Sequence, residues 1–363
     1  MFNNIYQGKK VLITGDTGFK GSWLAIWLNM LGADVYGYAL PPLREEDNYN
    51  VTGLNKNITH QDGDVRDYDK LLGFLQKVQP DIVFHLAAQA LVLPSYRQPR
   101  ETYEVNLMGT VNFFEAVRHS ESVKVAVNVT SDKCYHNNEW VWGYRETDPM
   151  GGKDPYSSSK GCSELISQAY NHSFFNNSRC GIATARAGNV IGAGDWADYR
   201  IVPDYFRALK NKESLEIRNP HATRPWQHVL EPLSGYLLLA SALYYDKEKF
   251  DGGWNFGPKD NMNYSVARLI ETIQKYENKG VYKTSELKEK PHEAHLLKLD
   301  ISKAVKYLEW QPVFDFEQTV EVTAKGYMND LSGYSALNDR EKTIKAYIAE
   351  AQRQNISWTM DKI

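Results

Sequence analysis

Between Lys9 and Arg186, short continuous apolar runs alternate with longer segments in which apolar residues recur at helical spacing. A short apolar run without polar alternation reads as a strand buried on both faces. Its alternation with amphipathic segments is the pattern of a parallel sheet covered by helices on either side. The pattern predicts strands at Val11–Thr14, Val35–Tyr38, Ile58–Gln61, Ile82–Leu86, Val125–Thr130 and Ile182–Ala185. Between them it predicts helices near Gly21–Leu31, Asp69–Val78, Glu101–His119 and Tyr156–Asn171. The fold class is therefore α/β with a doubly wound parallel sheet, whose ligands bind beyond the carboxyl ends of the strands.

After Arg186 the alternation loosens, and glycines, prolines and tryptophans recur in "AGNVIGAGDWADYR", "RNPHATRPWQH" and "WNFGP". A smaller C-terminal lobe rich in binding loops is expected there. Its predicted helices lie near Pro203–Lys210, Glu231–Tyr245, Val266–Tyr276, Phe316–Asn329 and Asp339–Arg353. The division is read as residues 1–186 for a cofactor domain and 187–363 mainly for substrate, with some late segments returning to the first domain.

Composition narrows the partners. The chain of 363 residues carries a net charge of −3, which offers no basic field for nucleic acid. An anionic ligand must then be held by individual arginines, amides and helix ends. The three cysteines, Cys134, Cys162 and Cys180, have no metal-binding or disulfide spacing, so no metal site is expected and a reducing cytoplasm suits them. The longest apolar patch, "WLAIWLNML", is too short to span a bilayer, and no membrane association is expected.

The first chemical signal is "VLITGDTGFKGSWL", which places Gly15, Gly18 and Gly21 between the first strand and the first helix. Gly15 permits the tight turn, Gly18 lets the backbone approach a pyrophosphate, and Gly21 lets the helix lie close on the sheet. The helix end supplies free N–H groups and a positive dipole end. Thr17, Phe19 and Lys20 complete this predicted dinucleotide turn. Further contacts are expected from Asp64 and Val65 after the third strand, and from Leu86, Ala87, Ala88 and Gln89 after the fourth. Asp64 also reads as a helix cap, and the two alanines as small core residues.

The second signal joins "SDKCY" at the end of the fifth strand to "YSSSK" at the start of a helix. Tyr156 and Lys160 share one helix face, where the lysine's charge favours tyrosinate. Tyr156 can then take a hydroxyl proton while hydride leaves the same carbon, with Ser131 hydrogen-bonded to that hydroxyl.

With these residues on the page, the chain resembles the extended short-chain dehydrogenases that act on nucleotide sugars, built on a Rossmann domain. The segments that carry the resemblance run from "GDTGFKGSWL" through "TSDKCYHNNEWVWGYRETDPMGGKDPYSSSKG", "RAGNVIGAGDWADYRIVPD" and "NPHATRPWQHVLEPLSGY" to "WNFGP", with a later "LEWQP". Within that family it is most similar to the CDP-glucose 4,6-dehydratase branch. The resemblance implies NAD as cofactor and a reaction in which the sugar is oxidised at C4, loses water across C5 and C6, and is reduced at C6. Asp132 is implied as the acid for the leaving hydroxyl, and Lys133 stands where related dehydratases carry the base. Substrate phosphates are expected at Asn189, Arg200 and Arg224, with His228 as a further candidate contact that reads more readily as a packed histidine. Trp23 and Trp27 read as core. A homodimer through the helices near 101–119 and 156–171 is the family's default.

Two segments depart from the family pattern. Asp16 stands where a histidine is expected, and an acid beside a pyrophosphate is expected to weaken NAD binding. Ala90 and Leu93 replace residues of "AAQPLVRxSY", removing one cation near the substrate pocket. A 4-epimerase of the same superfamily would share Tyr156 and Lys160 but has no use for Asp132. A non-catalytic NAD sensor would have no use for Ser131, Tyr156 and Lys160 together.

Overall fold

The computed structural model describes residues 1–217, 219–259, 263–277, 280–284 and 296–360. Arg218 of the "RNPHATRPWQH" segment lies outside them.

The alternation of the first half folds as six parallel strands: β1 (Lys10–Thr14), β2 (Asp34–Ala39), β3 (Thr59–Asp62), β4 (Ile82–His85), β5 (Val125–Val129) and β6 (Gly181–Arg186). Every residue of β4, β5 and β6 is buried, which is why their sequences show no polar alternation. Four helices cover the sheet: α1 (Phe19–Met30), α2 (Tyr68–Val78), α3 (Gly109–Arg118) and α4 (Pro155–Tyr170). The order across the sheet reverses between β1 and β4, so the crevice at the carboxyl ends of these two strands is the ligand position of a doubly wound fold.

Local signals set the helix ends. Asp67 caps α2 by accepting from the Lys70 amide at 3.1 Å, so Asp64 is not the cap. Asp154 caps α4 by accepting from the Ser157 amide at 2.9 Å, with Pro155 in the first turn; such a cap contributes about 1 kcal/mol. The segment expected as a helix over Glu101–His119 is helical without a gap from Pro99 to Arg118, with a π-helical turn at Glu104–Met108 before α3 begins.

The second half adds α5 (Ile201–Asn211), β7 (Ser214–Ile217), α6 (Leu230–Tyr245), β8 (Gly252–Asn255), α7 (Val266–Glu277), β9 (Val281–Thr284), α8 (Phe316–Leu331) and α9 (Ala336–Arg353). Three of these leave the lobe, among them α9, which packs on α1 with Tyr347 against Trp27. β8 joins the main sheet as a seventh parallel strand beside β6, and α6 packs against β5 and β6. The seventh strand, read from sequence only as the motif "WNFGP", is too short and glycine-rich to announce itself as a strand. Trp358 stacks on Phe2 with ring centroids 5.0 Å apart, tying the end of the described chain to its start. Trp23 and Trp27 are fully buried, as their spacing indicated.

The lobe has its own core, in which Tyr205 and Phe206 of α5, Leu215 and Ile217 of β7, Leu269 and Ile273 of α7 and Tyr327 of α8 pack together. Between this core and the sheet's carboxyl edge runs the cleft.

Candidate active site

The cleft has a volume of about 1100 Å³ and is lined from both sides, by strand-end loops of the sheet and by the lobe. Its dinucleotide end is formed by the turn after β1. Gly15 has φ +82°, and a β-carbon there would meet the Ala87 amide nitrogen at 2.7 Å. Only glycine lets the turn lie this close to the loop after β4. Gly18 precedes the first turn of α1, and Thr17, Gly18, Phe19, Lys20 and Gly21 all line the cleft. Asp64, Val65, Leu86, Ala87, Ala88 and Gln89 face it from the next strand ends. This set fits an adenine dinucleotide: a bare glycine turn, a free helix end, and small residues where a ligand must lie on backbone.

Asp64 accepts from Arg66 through both carboxylate oxygens, from Nε at Oδ1 at 3.0 Å and from Nη2 at Oδ2 at 2.6 Å, and this guanidinium draws its pKa below the usual carboxylate range. Gln89 is tied to the helix region behind it, its amide accepted by Asn106 Oδ1 at 2.8 Å. Asn106 in turn donates to Ser159 Oγ at 2.9 Å, fixing the start of α4 against the loop after β4.

Asp16 is corrected by the structure. Its carboxylate is buried against Gly37 of β2 and hydrogen-bonded to His60 Nδ1 at 2.7 Å, so it does not line the cleft. Strand alternation brings His60 of β3 beneath the turn, which the sequence could not show.

At the chemical end, Ser131, Asp132, Tyr156 and Lys160 are all buried side chains that line the cleft. Ser131 Oγ donates to Asp132 Oδ1 at 2.9 Å and accepts from the Lys133 amide at 3.2 Å. These bonds organise the single 3₁₀ turn Asp132–Cys134 that follows β5. Tyr156 is hydrogen-bonded to Ser131, while its amide is held by Ser95 Oγ at 3.2 Å. Burial raises the Tyr156 phenol to about 12, with the Ser131 bond working against it. Lys160 lies one turn on and donates to the Val129 carbonyl at 3.4 Å. Burial lowers its ammonium to about 8. The sequence reading put the lysine's charge first; in the folded chain desolvation of both groups outweighs it.

Lys133 lines the cleft half-buried beside Asp132. Lys20 reaches the same region from α1: it is lowered to about 8 by burial and by the charge of Arg200, and it also feels Asp132, Lys160 and Asp195. Arg200 pairs with Asp195 at 2.8 Å and acts electrostatically on Tyr156. Arg224 donates to the Thr223 carbonyl at 2.8 Å and lines the lobe side. Asn189 adopts φ +49°, lines the cleft, and has a buried amide nitrogen with no partner among the described residues.

His228 is not brought to the cleft. Its ring is buried between Trp23 and Phe314, with centroids at 5.8 and 5.9 Å, and accepts from the Leu230 amide at 3.3 Å. Burial lowers its pKa to about 3. The substrate contact expected from it is therefore replaced by a packing role.

Its neighbour Gln227 is the residue the sequence missed. Gln227 Nε2 donates to the Gly188 carbonyl at 2.9 Å, and Gly188 is the floor on which the Asp132 carboxylate rests. A buried glutamate, Glu164 of α4, accepts from Thr184 Oγ1 and Arg186 at 2.7 Å each and also from Thr130, locking α4 to the ends of β5 and β6. Glu164 carried a signal, a charged residue on the buried side of a helical run, whereas Gln227 in the mixed "RPWQH" segment carried none.

A family model described as GDP-mannose 4,6 dehydratase matches residues 12–323. A CDP-glucose 4,6-dehydratase from Salmonella typhimurium is 46% identical over 355 residues, covering 96% of this chain and 99% of that protein. Among solved structures, an NAD-bound dTDP-glucose 4,6-dehydratase from Streptomyces venezuelae superposes with TM-score 0.76 at 21% identity, over 90% of this chain and 99% of that one. An epimerase from Methanothermobacter thermautotrophicus gives TM-score 0.77 at 24% identity, over 91% and 95%. The fold, the cleft and a family match spanning most of the sequence agree, and the chain belongs to the GDP-mannose 4,6 dehydratase family.

Proposed function

We propose that this chain is an NAD-dependent nucleotide-sugar 4,6-dehydratase that converts CDP-glucose to CDP-4-keto-6-deoxyglucose and water. The observation that carries this reading is the turn after β5, where Asp132 and Lys133 stand beside Ser131 and line the same cleft as Tyr156. A 4-epimerase needs the tyrosine, lysine and serine. It has no use for an acid and a base poised for elimination.

Gly15, Gly18 and the first turn of α1 hold NAD in this reading, with Lys160 and Tyr156 at its reactive end. When bound, NAD supplies the acceptor of hydride at C4 and its donor at C6. Tyr156 takes the 4-hydroxyl proton, and Ser131 steadies the resulting carbonyl by hydrogen bonding. The 4-ketone acidifies the C5 proton, which Lys133 removes in its neutral form. Asp132 gives its proton to the C6 oxygen, and water departs. Lys133 then returns its proton to C5 as C6 is reduced, and the proton that Tyr156 took from O4 passes by way of Ser131 to Asp132, replacing the one lost with water, so that each group ends as it began. Arg200, Arg224 and the unpartnered Asn189 amide would hold the substrate pyrophosphate.

The same reading makes 1–186 the cofactor domain and 187–363 mainly the substrate lobe. It places the protein in the cytoplasm, which suits three free cysteines, two of them buried. It also pairs two copies through α3 and α4, whose surroundings expose Met108, Leu165 and Phe174.

Incubation with NAD and CDP-glucose, dTDP-glucose or GDP-mannose, following the 4-keto product by its alkaline absorbance, tests the reading. CDP-glucose should be the preferred substrate; turnover of dTDP-glucose alone refutes the assignment. An Asp132→Asn protein that dehydrates at the wild-type rate would remove Asp132 from the mechanism.

A further inference from the structure

Leu215, Glu216 and Ile217 of β7 all line the cleft; Leu215 and Ile217 are also buried against α5 and α7, whereas Glu216 is exposed. β7 pairs with β9 in parallel register, which sets Lys283 opposite Glu216. No ion pair joins them, and among the described residues nothing donates to the Glu216 carboxylate.

A lone carboxylate is out of place in a cleft for a diphosphate ligand. It repels the phosphates, and an acceptor covered by a ligand without receiving a donor is costly. A ligand that brings a donor to it avoids that cost. Arg200 acts on Tyr156 and so marks the reacting end, while Arg224 lies towards the lobe. With the sugar at Tyr156 and the pyrophosphate at the arginines, the nucleobase is left to the wall formed by Leu215, Glu216, Asn219, Ala222 and Trp226.

We propose that Glu216 reads the base, accepting a hydrogen bond from the exocyclic amino group of cytosine. This rests on the nucleotide-sugar reading above and adds its base specificity. Uracil and thymine place a carbonyl oxygen where cytosine has the amino group, so they set acceptor against acceptor. A carboxylate contact to the cytosine amino group discriminates by about 10- to 100-fold.

Equilibrium binding of CDP, UDP and GDP to the NAD-loaded enzyme, in wild type, Glu216→Gln and Glu216→Ala, separates this from the catalytic reading because it needs no turnover. The wild type should bind CDP more tightly than UDP by about 10-fold or more. Both variants should lose most of that preference, and Glu216→Gln, whose amide can donate to the uracil carbonyl, should gain affinity for UDP. An unchanged CDP-to-UDP ratio in both variants overturns the proposal, as does a wild type that prefers UDP or GDP. Loss of dehydration with the binding ratios as expected would instead count against the reaction and leave Glu216 as the base reader.

Discussion

The Asp132 carboxylate lies directly against the Cα of Gly188, so close that a β-carbon at 188 would overlap its oxygens. The loop after β6 therefore shapes the placement of a residue on the loop after β5. Asp132 can be held buried at the cleft only because position 188 has no side chain.

Gly188→Ala is expected to displace Asp132 while leaving Tyr156, Lys160 and the glycine turn in place. The loss of a positioned acid costs about 10²- to 10⁴-fold. Overall dehydration should fall by about 10²-fold, with the first oxidation still visible as reduced nicotinamide in a single turnover. Equal loss of both steps would mean that the substitution disrupts the whole site.

Tyr156→Phe should lower turnover by about 10²-fold or more, since it removes the phenol held beside Ser131. Lys160 contributes a distinct pH signature. Burial lowers its pKa to about 8 from an unfolded value of 10.5. Between these values the unfolded chain binds the extra proton, so this group makes stability rise with pH from 8 to 10.5, and the contribution is lost as pH falls through 8. Lys160→Met should flatten the slope of urea-unfolding free energy between pH 8 and 10, a window chosen below the tyrosine titration. An unaltered slope would contradict the buried ammonium.

The packed His228 predicts an acid limb. His85 and His228 are both lowered to about 3 by burial, so the unfolded chain takes up their protons first as pH falls. Their stabilising contribution is present above pH 6.5 and lost progressively towards pH 3. His228→Gln should make unfolding less steep in pH across this window and should leave the KM for nucleotide sugar within about twofold. A large rise in KM would return His228 to the substrate site.

Asp16 and the half-buried His60 form a pair under the dinucleotide turn, with the carboxylate fully buried. His60→Leu leaves the carboxylate buried and unpaired, a change of about 3–5 kcal/mol, read as a drop in melting temperature. Asp16→Asn keeps a hydrogen-bonding group and removes the charge, and should shift NAD affinity less than about threefold because the side chain faces β2 and β3. A tenfold gain in NAD affinity would show that the charge is felt at the pyrophosphate after all.

Sequence alone determined the parallel sheet, because strands buried on both faces must be apolar throughout, as β4 and β5 are. It also determined the glycine turn and the Tyr156–Lys160 pair, because both are local: spacing along one turn or one helix fixes which groups meet. Spatial neighbours from distant segments were not legible. His60 beneath Asp16, Gly188 beneath Asp132 and Gln227 behind Gly188 meet only when separate strand ends converge. Tertiary structure also decided His228, whose motif "RPWQH" reads as one binding block. The short strand at Gln227–His228 turns successive side chains to different surroundings, so Trp226 lines the cleft, Gln227 braces the Asp132 floor and His228 enters the core.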